Sequence, residues 1–230
     1  MPVFQLTDEP IFPLPQMARE DGLLAVGGDL SPERLIRAYS LGIFPWYTPG
    51  EPLLWWAPTP RLILFPSEFK KSRRLHRIIR QGTFEVSMDR NFRQMISACA
   101  ETRLQNGEET WIDTDMLEAY CTLHDLGFAH SVECWQDGVL AGGLYGVSLG
   151  TAFFGESMFS SRANSSKVAL ATLVDQMLAW KFEMIDCQIG TRHLMSLGAR
   201  EIPGDEFYAL LAGCMNKPTR RGIWCIESKP

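Results

Sequence analysis

At 230 residues, with 46% hydrophobic and 21% charged side chains, the chain has the composition of an ordinary globular protein with a sizeable core. A net charge of −5 argues against a general nucleic-acid binder, although a local basic patch can outweigh the sum. No run of about eighteen apolar residues occurs and the N-terminus has no basic stretch leading into an apolar one, so the expectation is a cytoplasmic protein without a membrane partner. The six cysteines are dispersed, form no C-x-x-C pair and sit mostly in apolar patterns, which fits reduced core thiols.

Residues 1–62 are expected to form a small N-terminal domain rich in Pro, Gly and Trp, with one clear helix. Ser31 is a good N-cap, Pro32 suits the first helical position and Gly42 ends the helix. The loop that follows carries Trp46, Trp55 and Trp56 among prolines, with neither helical nor strand period. Residue types alone favour a satellite core; the alternative is a platform for a flat ligand, since base-on-aromatic stacking is worth about 1–3 kcal/mol. Residues 63–230 are expected to form the second, larger domain. Near its start lies a basic block at 70–80, where Lys70, Lys71, Arg73, Arg74, Arg77 and Arg80 occur without an acid and Leu75, Ile78 and Ile79 make a buried stripe. A solvated helix face is the usual explanation of a charge run, but an unbalanced block in an acidic chain is more suggestive of phosphate.

Next come a strand at 84–88, a helix capped by Asp89, and a helix from about 113 that stops at Gly127. Strands at 130–135, 139–147 and 151–159 are joined by links short enough for hairpins, so the sheet is antiparallel here. A helix at 166–180, a strand at 184–189, a short helix near His193, a helix capped by Asp205 and a last strand at 223–226 complete the pattern. This is the element order of the GNAT acyltransferases, in which two strands splay apart and acyl transfer happens in the gap. The expected fold class is α+β: a small N-terminal domain plus a GNAT-like domain with a mixed, mainly antiparallel sheet.

Two carboxylates fall on the strands that would splay. Glu156 stands among aromatic and sulfur side chains, where a buried charge needs a partner in the protein or a bound cation. At 184–189 the two-residue period puts Met184, Asp186 and Gln188 on one face. If Phe153 and Glu156 both face the site, strand parity requires a bulge near Gly155. For Asp186 a structural role, paired with an arginine or a backbone amide, is as good a reading from the residues alone. His124, His130 and His193 have no zinc-ligand spacing and are read as structural.

The segments GGDLSPERLIRAY, GIFPWY, LLWWAP, ETWI, AYCTLHDLGFAHSVE, GGLYGVSLGTAFFGESMFS, SKVAL, IDCQ and HLMSLGA cover nearly the whole chain in order. Together they resemble the leucyl/phenylalanyl-tRNA–protein transferases of bacteria. The resemblance implies transfer of leucine or phenylalanine from aminoacyl-tRNA to the α-amino group of proteins beginning with Arg or Lys, marking them for degradation. By position it implies that Asp186 and Gln188 are the catalytic pair and that Trp46 and Trp111 hold the terminal adenosine. Leu144, Phe153, Leu173, Met177 and Ile185 would form the amino-acid pocket, flanked by Tyr39 and Tyr120, with Glu156 at the reaction centre. An aminoacyl ester is already activated, so neither ATP, metal nor another cofactor is expected, and the chain is read as a monomer.

Two other readings compete. An acyl-CoA enzyme of the same fold would carry a glycine-rich turn where this chain has Ser160-Ser161-Arg162-Ala163-Asn164-Ser165-Ser166, which fits poorly. A non-catalytic RNA-binding protein would explain the basic block and the tryptophans but leaves Glu156, Asp186 and Gln188 without a purpose.

Overall fold

A computed structural model of the chain describes residues 2–227. Its N-terminal part contains β1 (Phe4–Leu6), β2 (Leu23–Gly27), α1 (Pro32–Ser40), β3 (Phe44–Pro45) and β4 (Leu54–Trp56). The four strands make one sheet in the order β1-β2-β4-β3. Helix α1 starts as its residues dictate: the Ser31 side chain accepts from the Arg34 N–H, and Pro32 occupies the first turn.

The rest of the chain builds a seven-stranded sheet, β11-β5-β10-β9-β8-β7-β6. Its elements are β5 (Arg61–Leu64), α2 (Arg73–Arg80), β6 (Glu85–Met88), α3 (Phe92–Gln105), α4 (Thr114–Asp125), β7 (Ala129–Gln136), β8 (Val139–Leu149) and β9 (Ala152–Ser160). They continue with α5 (Ser165–Ala179), β10 (Met184–Asp186), α6 (Arg192–Ser196), β11 (Arg200–Ile202) and α7 (Gly204–Met215). Only β9 and β10 pair in parallel within this sheet; the remaining neighbours are antiparallel, and the fold is α+β with mixed sheets. Alternate residues of β8 and β9 enter different apolar clusters. Tyr145 and Phe154 pack with residues of α1, α3, α4 and α7, whereas Leu144 and Phe153 pack with α5. Among the described residues no helix is long and apolar enough to cross a membrane.

Four local expectations are corrected. Helix α3 is capped by Asn91, whose side chain accepts from the Gln94 N–H. Asp89 instead adopts φ 54° and turns inward, because three donors await it there: His130 Nδ1 at 2.8 Å, the Ser131 N–H at 2.8 Å and the Trp224 N–H at 2.7 Å. Pro203, not Asp205, occupies the cap position of α7. Residues 223–226 form no strand; Trp224 is buried and held by the Asp89 carboxylate and by ring packing. Strand β10 ends at Asp186 because Gln188 takes φ 60°, which breaks the two-residue alternation.

The bulge that strand parity demanded is present. Tyr145 pairs with Ser157 and Gly146 with Gly155, so Glu156 is the extra residue on β9. Gly146 makes this crossing possible: a Cβ there would lie 2.1 Å from the Phe154 carbonyl oxygen and 2.7 Å from the Phe153 ring. Gly146→Ala therefore forces β9 to shift, and it is expected to lower stability by about 1–3 kcal/mol. Denaturant unfolding checks this; an unchanged midpoint means the strands accommodate the methyl group without moving.

Candidate active site

The ladder between β9 and β10 extends only from Ala152/Met184 to Phe154/Asp186. Beyond it lies a cavity of about 660 Å³, bounded by Gly155, Glu156, Ser157 and Met158 on one side and by Cys187, Gln188 and Ile189 on the other. Leu144, Phe153, Leu173 and Ile185 line it, as do Trp46 and Trp111. Met177 is fully buried in the same apolar cluster as Leu173 and is not part of the lining. Trp46, 41% exposed, and Trp111 also bound a second cavity of about 550 Å³. Trp46 tilts against Trp56 with ring centres 5.5 Å apart, and the Arg103 guanidinium lies 4.6 Å over the Trp111 ring.

Glu156 is only 8% exposed, and its partners are neutral. Tyr39 of α1 donates to Oε1 at 2.7 Å, Tyr120 of α4 donates to Oε2 at 2.9 Å, and Gln188 Nε2 donates to Oε1 at 2.9 Å. The two phenol oxygens also lie within hydrogen-bonding reach of each other, so the two O–H protons are shared among the phenols and the carboxylate. Burial raises the Glu156 pKa to about 7, although all three donors favour the charged form and pull the other way. Burial, reinforced by the Glu156 charge, keeps both phenols protonated by lifting their pKa values well above 10.0. The expected flanking tyrosines thus meet the site through their hydroxyls alone, since neither ring lines the cavity.

Asp186 lies elsewhere. It is fully buried and does not line the cavity. Its carboxylate accepts from Arg61 Nε at 2.9 Å and from Arg61 Nη2 at 2.8 Å, which is the structural pairing that the residues alone left open. Shared strand parity does not bring Asp186 and Gln188 together. They meet through the Gln188 N–H, which donates to Asp186 Oδ1 at 2.8 Å and holds the left-handed turn that swings the Gln188 amide onto Glu156.

Arg61 was missed by sequence reasoning, yet a signal existed. An arginine heading the apolar strand Arg61-Leu62-Ile63-Leu64 raises the same question as Glu156, and Asp186 on another apolar strand answers it. Cys187 lines the cavity, but burial pushes its thiol up to about 12, so it is a protonated wall and not a nucleophile. His124 Nδ1 donates to the Ala129 carbonyl and His130 Nδ1 to the Asp89 carboxylate, both in structural settings, while His193 is exposed at the cavity edge. In the basic block, Lys71 finds an acid after all, Asp175 of α5 at 2.6 Å.

Comparison with known proteins adds a family to this geometry. The model of the leucyl/phenylalanyl-tRNA protein transferase family matches residues 63–212, and that of its N-terminal domain matches residues 28–59. The chain belongs to this family. Named relatives span its full length: the leucyl/phenylalanyl-tRNA–protein transferase of Desulfatibacillum aliphaticivorans is 58% identical over 100% of this chain and 98% of its own. That of Desulforapulum autotrophicum is 52% identical over 97% of this chain and 98% of its own. The transferase has a distant likeness to a solved C-terminal domain named for lysylphosphatidylglycerol synthetase, from Agrobacterium fabrum, with TM-score 0.40 and 13% identity over 89% of this chain and 67% of that one. The transferase is thus an aminoacyltransferase working with tRNA and protein substrates, and its small N-terminal domain is matched separately.

The Glu156 pKa has a consequence for stability. In the unfolded chain the group titrates near 4.5 and in the folded transferase near 7, so between these values the folded state binds more protons. Stability from this group is fully present below about pH 4.5, falls as pH rises toward 7, and stays reduced above it, by up to about 3 kcal/mol. Glu156→Gln lacks the titration. The melting temperature of this variant relative to the parent is expected to climb between pH 4.5 and 7.5; a flat difference curve shows an ordinary carboxylate.

Proposed function

We propose that the transferase moves leucine or phenylalanine from aminoacyl-tRNA to the α-amino group of proteins beginning with Arg or Lys, marking them for degradation. The observation that carries the reading is a cavity with apolar walls and one buried, neutrally hydrogen-bonded carboxylate, Glu156. Leu144, Phe153, Leu173 and Ile185 take the donor side chain, Met177 supports them from the core, and the terminal adenosine stacks on Trp46 and Trp111. The gap between β9 and β10 is the GNAT-like acyl-transfer cleft, with residues 63–230 as the catalytic domain behind the smaller 1–62 unit. The protein works as a cytoplasmic monomer and needs no cofactor, because the ester donor is already activated.

The catalytic pair expected from the resemblance divides its work. Asp186, bound by Arg61, holds Gln188 in its turn, and the Gln188 amide together with Glu156 orients the incoming amine. The amine nitrogen attacks the ester carbonyl carbon and gives its proton to Glu156, whose pKa near 7 suits exchange at cellular pH. Collapse breaks the bond to the ribose oxygen, which takes the proton back from Glu156, leaving a new amide and a free tRNA end.

The basic segment supports the tRNA part of the reading. Lys70, Lys71, Arg73, Arg74, Arg77 and Arg80 lie on or just before α2, which packs through Leu75 into the cluster that holds α5. Its approach runs beside α6, with the Lys70 N–H donating to the Leu197 carbonyl at 2.8 Å, and α6 contributes His193 and Leu194 to the cavity. Among the described residues, Arg73, Arg74, Arg77 and Arg80 take part in no ion pair and are free for phosphate.

The direct test is to incubate the protein with leucyl-tRNA and a peptide beginning with Arg, without CoA or ATP. Extension of that peptide by leucine, and none of a peptide beginning with Glu, is the expected result; no extension of either overturns the proposal. With that assay, Glu156→Gln is expected to lower kcat by about 10²–10⁴-fold. Asp186→Asn acts through Gln188 and is expected to lower kcat less at matched folded concentration. The reverse order would return the proton to the Asp186 path. Replacing Arg73, Arg74 and Arg77 together with Ala is expected to flatten the log–log salt dependence of tRNA binding by about 0.7–0.9 per lost phosphate contact. An unchanged slope makes α2 a solvated face.

A further inference from the structure

We infer that Trp224, in the irregular segment after α7, is a positioning residue for donor selection: it backs the Phe153 ring and thereby sets the depth of the amino-acid pocket. This rests on the reading that Phe153 belongs to the donor pocket. Phe153 lines the cavity, whereas Trp224 does not. The two rings pack with centres 6.0 Å apart and planes at 36°, and both are at most 1% exposed. Gly146 leaves no slack below, since even a Cβ there would lie 2.7 Å from Cε1 and Cζ of Phe153. The Phe153 ring is therefore confined between the strand beneath and the indole beside it, and the cavity begins where it ends.

An irregular segment can back a pocket wall only when it is fixed, and this one is pinned along its length. The Trp224 N–H donates to Asp89 at 2.7 Å, and its ring stacks on His130 at 3.7 Å with planes 4° apart. Trp180 and Phe182 close on the same indole edge-on at 4.9 and 5.9 Å. Three residues further on, the Gln176 amide exchanges two hydrogen bonds of 3.1 Å with the Glu227 backbone, joining the segment to α5, the helix that carries Leu173. On the near side Arg221 donates to the Leu126 carbonyl at 2.8 Å, and the approach is so close that a Cβ on Gly127 would lie 2.4 Å from the Gly222 nitrogen. The inward turn of Asp89, which caps no helix, finds its use here.

The test compares leucyl- and phenylalanyl-tRNA as donors. Trp224→Leu lets the Phe153 ring withdraw, which deepens the pocket. The leucyl-to-phenylalanyl ratio of kcat/KM is expected to fall about tenfold, the change being carried by donor KM, with acceptor KM unmoved. Trp224→Phe, which keeps an aromatic contact and guards against a variant that fails to fold, is expected to restore most of the ratio. Because Trp224 acts through Phe153, Phe153→Leu combined with Trp224→Leu is expected to show the ratio of Phe153→Leu alone. A merely structural role lowers kcat/KM for both donors in equal proportion, and that result overturns the inference. So do independent, multiplying effects in the double variant. A parent protein that uses neither donor refutes the proposed function itself.

Discussion

The arrangement of this site depends on one buried ion pair. Arg61 and Asp186 are 1% exposed or less, and removing either partner alone leaves an uncompensated charge, a change that typically costs about 3–5 kcal/mol. The net stability that such a pair supplies is small, because desolvation offsets the attraction; what it supplies is geometry. The Arg61 guanidinium is held between the Phe44 and Phe207 rings at 4.9 and 4.8 Å and also donates to the Gly42 carbonyl at 3.0 Å. It therefore joins β5 and β10 of the large sheet to β3 and the end of α1, and to α7. Asp186, fixed by this clamp, dictates the turn at Gln188, and the turn dictates where the cavity has an amide donor.

From Gln188 the dependence passes to Glu156. Its bulge takes it out of the β8–β9 ladder and gives its carboxylate three neutral donors in place of a cation. Neutral hydrogen bonds offset part of the cost of burial without neutralising the charge, which leaves the group able to gain and lose a proton near neutrality. An arginine in place of the tyrosines would hold it ionised. The pairing chosen for Asp186 and the one chosen for Glu156 are thus opposite solutions for two buried acids linked through Gln188: one is locked for structure, the other is left to titrate.

Much of this was legible in the residues. Ser31, Pro32 and Gly42 mark helix α1, short links mark the hairpins between β7, β8 and β9, and the parity conflict between Phe153 and Glu156 requires the bulge that is present. These features obey rules of local geometry: a cap needs a hydroxyl next to free N–H groups, and a strand alternates every second residue. The family followed from a different source, the resemblance of whole segments, and the pocket residues were what that resemblance implied; only the need of Glu156 for a partner could be seen from its apolar surroundings.

Which partner it received was decided only in three dimensions. Tyr39 stands 117 residues from Glu156, Tyr120 stands 36 residues away, and Arg61 stands 125 residues from Asp186, so nothing in local spacing links them. The same holds for Asp89, a convincing helix cap by position that is drawn instead to His130, Ser131 and Trp224. A periodic pattern states that a side chain will be buried and on which face. It cannot state what lies opposite, because a buried polar group takes whichever complementary group packing brings within about 3 Å, and packing sums over the whole chain.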